Sequence, residues 1–292
     1  MYSDEVRVGI GGLQTVVLTS PGGASECHVV PERGGLVTRF RVGDDEVLFL
    51  DEASLADRTK NVRGGIPVLF PMAGRLPEDR YQAHERTFTL SQHGFARRLP
   101  WQLVEHGSDE HHAWLQCRLV STAETLAVFP WPFAVTLRFT LEGSQLTLDT
   151  KIENRGAEPM PHALGFHPYF RVPDAQKSNA GVRTDAKVGL DNTTGQRVQV
   201  KKLDFTVKEL DLHLFGHSVP GTLLRRGDLP KVALDWSPGF TTLVLWTLAG
   251  RDFICVEPWE APGGALATHE HLPVLAPGQS IDLVFRIADG VR

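Results

Sequence analysis

The amino-acid sequence predicts an all-β protein, a large antiparallel β-sandwich, on three observations. Apolar residues recur with the period of two that a strand requires, and helical periodicity is scarce. The segments that show this are short and closely spaced along the chain. Each is closed by Gly, Pro, Asp or Asn, and 28 glycines and 19 prolines in 292 residues supply that punctuation.

Taken in order, TVVLTS (15–20), LVTRFRVG (36–43), DEVLFL (45–50) and HHAWLQCRLVST (111–122) read as strands. The clearest segment is residues 133–154. Phe133, Val135, Leu137, Phe139 and Leu141 alternate with small or polar residues, and Leu146, Leu148 and Ile152 resume beyond Glu-Gly-Ser-Gln, which predicts a hairpin. KVALDWS (231–237), TTLVLWTL (241–248), FICVEPW (253–259) and IDLVFRIA (281–288) complete the set. Short helical turns are expected near SLADRT (54–59) and around residues 207–215. No repeat, low-complexity tract or linker divides the chain, so residues 1–292 are expected to form a single domain.

A hydrophobic content of 41% is ample for a sizeable core. With 35 acidic against 30 basic residues and a formal charge of -5, the chain carries no basic field for nucleic acid or an anionic membrane. No uncharged apolar run approaches the roughly 18 residues of a spanning helix, and MYSDEVRVGIGGLQ lacks the pattern of a secretory leader. Cys27, Cys117 and Cys255 are odd in number and scattered, which suits neither a disulfide framework nor paired zinc ligands. A cytoplasmic protein acting on a neutral or modestly anionic small molecule is the expectation.

Two stretches place a titratable group directly before proline. In GFHPYF (165–170), Pro168 holds His167 extended, and alternation sets Gly165, His167 and Tyr169 on one face with Phe166 and Phe170 on the other. A packing histidine with one satisfied hydrogen bond is the competing reading. In FICVEPW, Phe253, Cys255 and Glu257 share a face. Glu257 there meets a cation, titrates high, or reaches water at the strand end. Two Gly-containing loops, NVRGGIPVLFPMAGRL (61–76) and LSQHGFARRLPW (90–101), add Arg63, Gln92, His93 and Arg97. Guanidinium forks can grip hydroxyls or a phosphate, and the glycines would let a ligand approach the backbone.

VRGGIP, QHGFAR with LPW, HPYF and VEPW, in that order, resemble the aldose 1-epimerase (galactose mutarotase-like) superfamily, nearest its hexose-6-phosphate mutarotase branch. The resemblance runs from about residue 15 to about residue 288. It implies a β-supersandwich, interconversion of α and β sugar anomers, and no metal or other cofactor. Carried over, the general acid falls on His167 and the general base on Glu257, with a sugar or sugar phosphate held by Arg63, Gln92, His93 and Arg97. A further hydroxyl-binding aspartate falls on Asp211, with Asp204 as the alternative. The residues after HPYF and VEPW depart from the branch, which leaves phosphate preference open. On this reading a negative neighbour such as Asp211 keeps His167 protonated while burial raises Glu257. Trp259, Tyr169 or Phe70 would stack on the sugar, and Arg75, Arg80 and Arg98 are spare cations. A non-catalytic carbohydrate-binding domain is the alternative, since it would need the arginines but not the acid/base pair. A third reading, a metal-binding cupin, rests on His269 and His271 sharing a strand face.

Overall fold

The computed structural model describes residues 1–291, and the chain is all-β. Two eight-stranded sheets dominate. The first runs in the order Ala180–Val182, Gly221–Arg226, Leu229–Trp236, Ser280–Val291, Gln145–Asn154, Phe133–Glu142, Ala113–Val120 and Gln102–Ser108. The expected hairpin lies at its centre with Phe133 opposite Asn154 and Glu142 opposite Gln145, so the turn is Gly143–Ser144. Its inward residues Phe133, Val135, Leu137, Phe139, Leu141, Leu146, Leu148 and Ile152 are all fully buried.

The second sheet carries two of the candidate site residues, Asp211 and Glu257. Its order is Gln196–Gln199, Val188–Asp191, Glu209–Phe215, Thr242–Leu248, Phe253–Trp259, Gly165–Phe166 and Val68–Leu69, with Tyr169–Arg171 also paired to Phe253–Trp259. One face of this sheet, through Leu212, Leu214, Leu243, Leu245, Ile254 and Val256, joins the core shared with the first sheet. Phe166 crosses that interface and stacks on Phe285, ring centroids 5.3 Å apart. The mutual burial of two apolar faces is what makes a sandwich of the two sheets.

A five-stranded meander, Ser3–Val8, Gln14–Thr19, Ser25–Val30, Leu36–Val42 and Asp45–Glu46, packs alongside. It is clasped to the first sheet by Arg226, fully buried, which pairs with Asp45 of the meander and, at 3.0 Å, with Asp289.

Two local expectations change. Residues 209–215 form a strand and not a helical turn, because Leu210, Leu212 and Leu214 alternate with Glu209, Asp211 and His213 and turn together to the core. DEVLFL is a ladder strand only at Asp45–Glu46, after which Leu48 and Leu50 make isolated bridges to Phe170 and Gly64. The turn near residue 54 is the helix Glu52–Ala56, whose Asp51 side chain accepts hydrogen bonds from the Ala53 and Ser54 N–H groups. Among the described residues, no helix is long and apolar enough to cross a membrane.

Candidate active site

The free face of the second sheet is organised by register. Residues opposed across antiparallel strands point the same way. Cys255 faces both Tyr169 and Trp246, and Trp246 faces Asp211, so these four form one row. In the next row Glu257 faces Val244, which faces His213. His167 joins from the neighbouring segment. Its N–H donates to the Pro67 carbonyl (3.0 Å), as the Tyr169 N–H does to that of Gly65 (2.9 Å). The imidazole stacks on Tyr169, centroids 4.7 Å apart and planes 7° from parallel, and meets Trp246 edge-on. The one-face reading of His167 and Tyr169 therefore matches the structure.

His167 Nδ1 lies 3.3 Å from Glu257 Oε1, with His167 7% and Glu257 1% exposed. The approach is off-axis, so Nδ1 has no hydrogen-bond partner among the described residues. The other carboxyl oxygen of Glu257 accepts from Trp259 Nε1 at 3.1 Å. Asp211 is held from two sides: Asn192 Nδ2 donates to Oδ2 (2.7 Å), and His213 Nε2 lies 3.1 Å from Oδ1.

The two loops close the rim. His93, in the left-handed region at φ 67, donates its N–H to the Gly74 carbonyl and accepts the Gly74 N–H at Nδ1 (3.0 Å). That bond leaves the ring proton on Nε2. Arg97 donates to the Gln92 carbonyl at 3.0 Å, and Arg63 is exposed with no ion pair among the described residues. The result is a cavity of about 620 Å³ whose lining includes Arg63, Gln92, His93, Arg97, His167, Asp211 and Glu257.

The aldose 1-epimerase family model matches residues 15–288. The chain belongs to the aldose 1-epimerase family. Relatives from Salmonella typhimurium and Escherichia coli, which carry the provisional name glucose-6-phosphate 1-epimerase, are 32% identical over 133 and 135 residues, 46% of this chain in each case. Those stretches are 40% and 41% of the relatives, so less than half the length of each is spanned. The solved structure of the Slr1438 protein from Synechocystis sp. PCC 6803 superposes with a TM-score of 0.92 and 35% identity, covering 95% of this chain and 96% of that one. A galactose mutarotase-like protein from Clostridium acetobutylicum shares the fold at a TM-score of 0.83 and 16% identity, covering 99% and 98%.

Within this aldose 1-epimerase family member, several expectations need correction. Burial, followed by the Arg97 charge, pushes His167 down to about 3, while Asp211 pulls only weakly the other way. Burial and then the Asp211 charge drive Glu257 well above the usual carboxylate range, against the Trp259 N–H and Arg97. Both shifts favour the uncharged forms of the pair, a protonated Glu257 carboxyl and a neutral His167. His93 is likewise neutral, lowered first by burial and then by His167 and Arg97. Arg97 itself is lowered to about 10, by burial and then by Arg98.

The glycines beside Arg63 and His93 serve the chain, and Gly74 is the loop glycine that lines the cavity. A Cβ on Gly65 would stand 2.1 Å from the Val37 carbonyl oxygen, and one on Gly94 2.3 Å from that of Phe70. Phe70 is a core residue packed against Phe95, Phe129 and Phe133, so it offers the cavity no stacking surface. Tyr169, Trp246 and Trp259 do line the cavity. Asp204 is exposed, accepts from Thr206, and lines a separate depression, which leaves Asp211 as the aspartate of the site. Of the spare cations only Arg75 reaches the rim, held at 3.2 Å by Asp79. Arg80 pairs with Glu78, and Arg98 bonds Ser91 and Gly94.

Asn192, Glu209, His213 and Trp246 also line the cavity and were missed in the sequence. The alternation of ELDLHLF would have placed His213 beside Asp211; Asn192 carries no such signal. His269 and His271 have φ of 60 and 51 and lie in no strand, so the shared-face premise of a cupin fails. The donor atoms of His167, Cys255 and Glu257 do lie within 4.8 Å of one another, close enough to hold a metal ion. Burial keeps the Cys255 thiol protonated, with the Glu257 charge acting the same way, and the thiol is fully enclosed.

Proposed function

We propose that the protein interconverts the α and β anomers of an aldohexose 6-phosphate by general acid–base ring opening. The observation that carries this reading is the enclosed His167–Glu257 pair, 3.3 Å apart at the floor of a sugar-sized cavity. A binding domain gains nothing from burying two titratable groups, each of which costs free energy to dehydrate.

Anomer exchange needs one acid and one base. Glu257 as carboxylate accepts the C1 hydroxyl proton while His167 as imidazolium protonates the ring oxygen. The bond from C1 to that oxygen breaks and an open-chain aldehyde remains. Rotation about C1–C2 presents the other face, and closure returns both protons. This working form differs from the ligand-free one by a single proton moved across the pair. Sugar hydroxyls entering the cavity supply the hydrogen bonds that the two charges otherwise lack. Each transfer contributes about 10²- to 10⁴-fold.

Arg63 and Arg97 support the phosphate. Neither is paired with a carboxylate among the described residues, and both line the cavity, where an anionic C6 substituent would find guanidinium groups. The provisional name of the bacterial relatives agrees. Asp211, fixed by Asn192 and His213, accepts a ring hydroxyl.

Polarimetry on freshly dissolved α-glucose 6-phosphate, α-glucose and α-galactose tests this. The phosphate ester should relax fastest, and Glu257→Gln should slow it about 10²- to 10⁴-fold. Equal rates on free sugars would remove the phosphate, and an undiminished Glu257→Gln variant would remove the mechanism. Sugar that binds without anomer exchange would leave a carbohydrate-binding domain.

A further inference from the structure

A second His–Glu pair bridges the same two chain segments as the first. His162 is fully enclosed and Glu260 is 1% exposed, with His162 Nε2 3.6 Å from Glu260 Oε1. Neither ring nitrogen of His162 has a hydrogen-bond partner among the described residues. Glu260 instead spends its other oxygen on the backbone: Oε2 accepts the Leu164 N–H at 2.6 Å, while the Glu260 N–H donates to the Leu164 carbonyl at 2.9 Å. One residue thus clasps Leu164 from both sides.

The clasp sits next to a chain of contacts that ends at Glu257. Gly165 lies opposite Trp259, and a Cβ there would stand 2.8 Å from the indole, so the ring rests directly on the Gly165 backbone. Trp259 Nε1 then donates to Glu257. The register of Leu164 against Glu260 fixes Gly165, Gly165 seats Trp259, and Trp259 orients the Glu257 carboxyl. Alignment of this kind is where catalysis is sensitive, since a misplacement of about 1 Å can cost on the order of 10²-fold.

We infer that Glu260 is a positioning residue for the acid/base pair, acting through its hydrogen bond to the Leu164 N–H and the seating of Trp259. The role belongs to the reach of the side chain and not to its charge. This inference rests on the proposed mutarotase reading, and the experiment separates the two.

Glu260→Gln keeps an oxygen acceptor at the same reach, whereas Glu260→Asp keeps the charge and falls one methylene short. Mutarotation by Glu260→Asp should lose at least about 10-fold in kcat with KM nearly unchanged, and Glu260→Gln should stay within about threefold of wild type. In parallel, carbon NMR of the Glu257 carboxyl should show its titration displaced upward in Glu260→Asp, where the Trp259 N–H is loosened, and unmoved in Glu260→Gln. That readout stands even if wild type turns over no sugar, an outcome that would sink the mutarotase reading alone. A damaged Gln variant beside an intact Asp variant would assign the role to charge and overturn the inference. So would two variants that both match wild type in rate and titration, or two that are equally impaired.

Discussion

At Asp211 two hydrogen-bond donors already hold the carboxylate, so the orientation of its remaining lone pairs is set before any sugar arrives. A charged acceptor of this kind is worth more than a neutral one, about 1.5–3 kcal/mol per bond. Asp211→Asn should therefore lower kcat/KM for mutarotation roughly 10- to 100-fold, while Asp204→Asn, on a separate depression, should leave it unchanged. Steady-state kinetics on both variants checks the choice between the two aspartates. His167 and Glu257 were legible as candidates because each precedes a proline that straightens the chain. Their protonation was not, because it follows from enclosure and from Arg97, which arrives from a loop some 70 positions before His167 in sequence. Asn192 was invisible for the same reason: nothing around it in the chain announces that it will meet Asp211.

Strands show their sequence more openly than sites do. The hairpin at 133–154 was readable residue by residue, since each inward position is apolar apart from the buried Thr150 and Asn154. ELDLHLF carries the same alternation, yet its polar half faces the cavity, and a polar stripe on a sheet floor resembles the polar side of a short helix. The loop glycines show a different limit. Their conformational freedom was legible, but the partner that demands it, the opposing carbonyl of Val37, lies on a distant strand. Gly65 has φ 65 and no room for a methyl group, whereas Gly43 has φ 56 and open space. Gly65→Ala should therefore lower the melting temperature by at least about 4 °C, and clearly more than Gly43→Ala, in thermal unfolding followed by circular dichroism. Equal shifts would show that the close approach costs nothing.

Across the whole molecule, the buried Arg226 is shared between two carboxylates, Asp45 and Asp289. Burial, and then the nearby Asp45 charge, raises Asp289 to about 6, against the pull of Arg226. The sign follows from which state binds protons. Between the ordinary carboxylate value and about 6, the folded chain holds a proton on Asp289 that the unfolded chain has released. This group's contribution is therefore present below that window and lost as pH rises through it. His167 works in the opposite sense. Its lowered value means stability falls as pH drops from about 6.5 toward 3. Asp289→Asn separates the two. Calorimetry should show the variant equal to wild type near pH 4 and more stable near pH 8, by on the order of 1–3 kcal/mol. If residues 1–292 form one domain, each scan should contain a single transition. A variant less stable at pH 8 would mean that Arg226 needs both carboxylates.

Glu257 stands on a sheet strand, and His167 between two segments paired to the same sheet, whereas Arg63, Gln92 and Arg97 stand on loops. On the proposed reading, turnover and taste are thereby lodged in separate parts of the architecture. If that reading holds, different sequences at residues 61–63 and 91–92 should retune which sugar is admitted without touching the scaffold beneath, so that one chemical engine serves many diets.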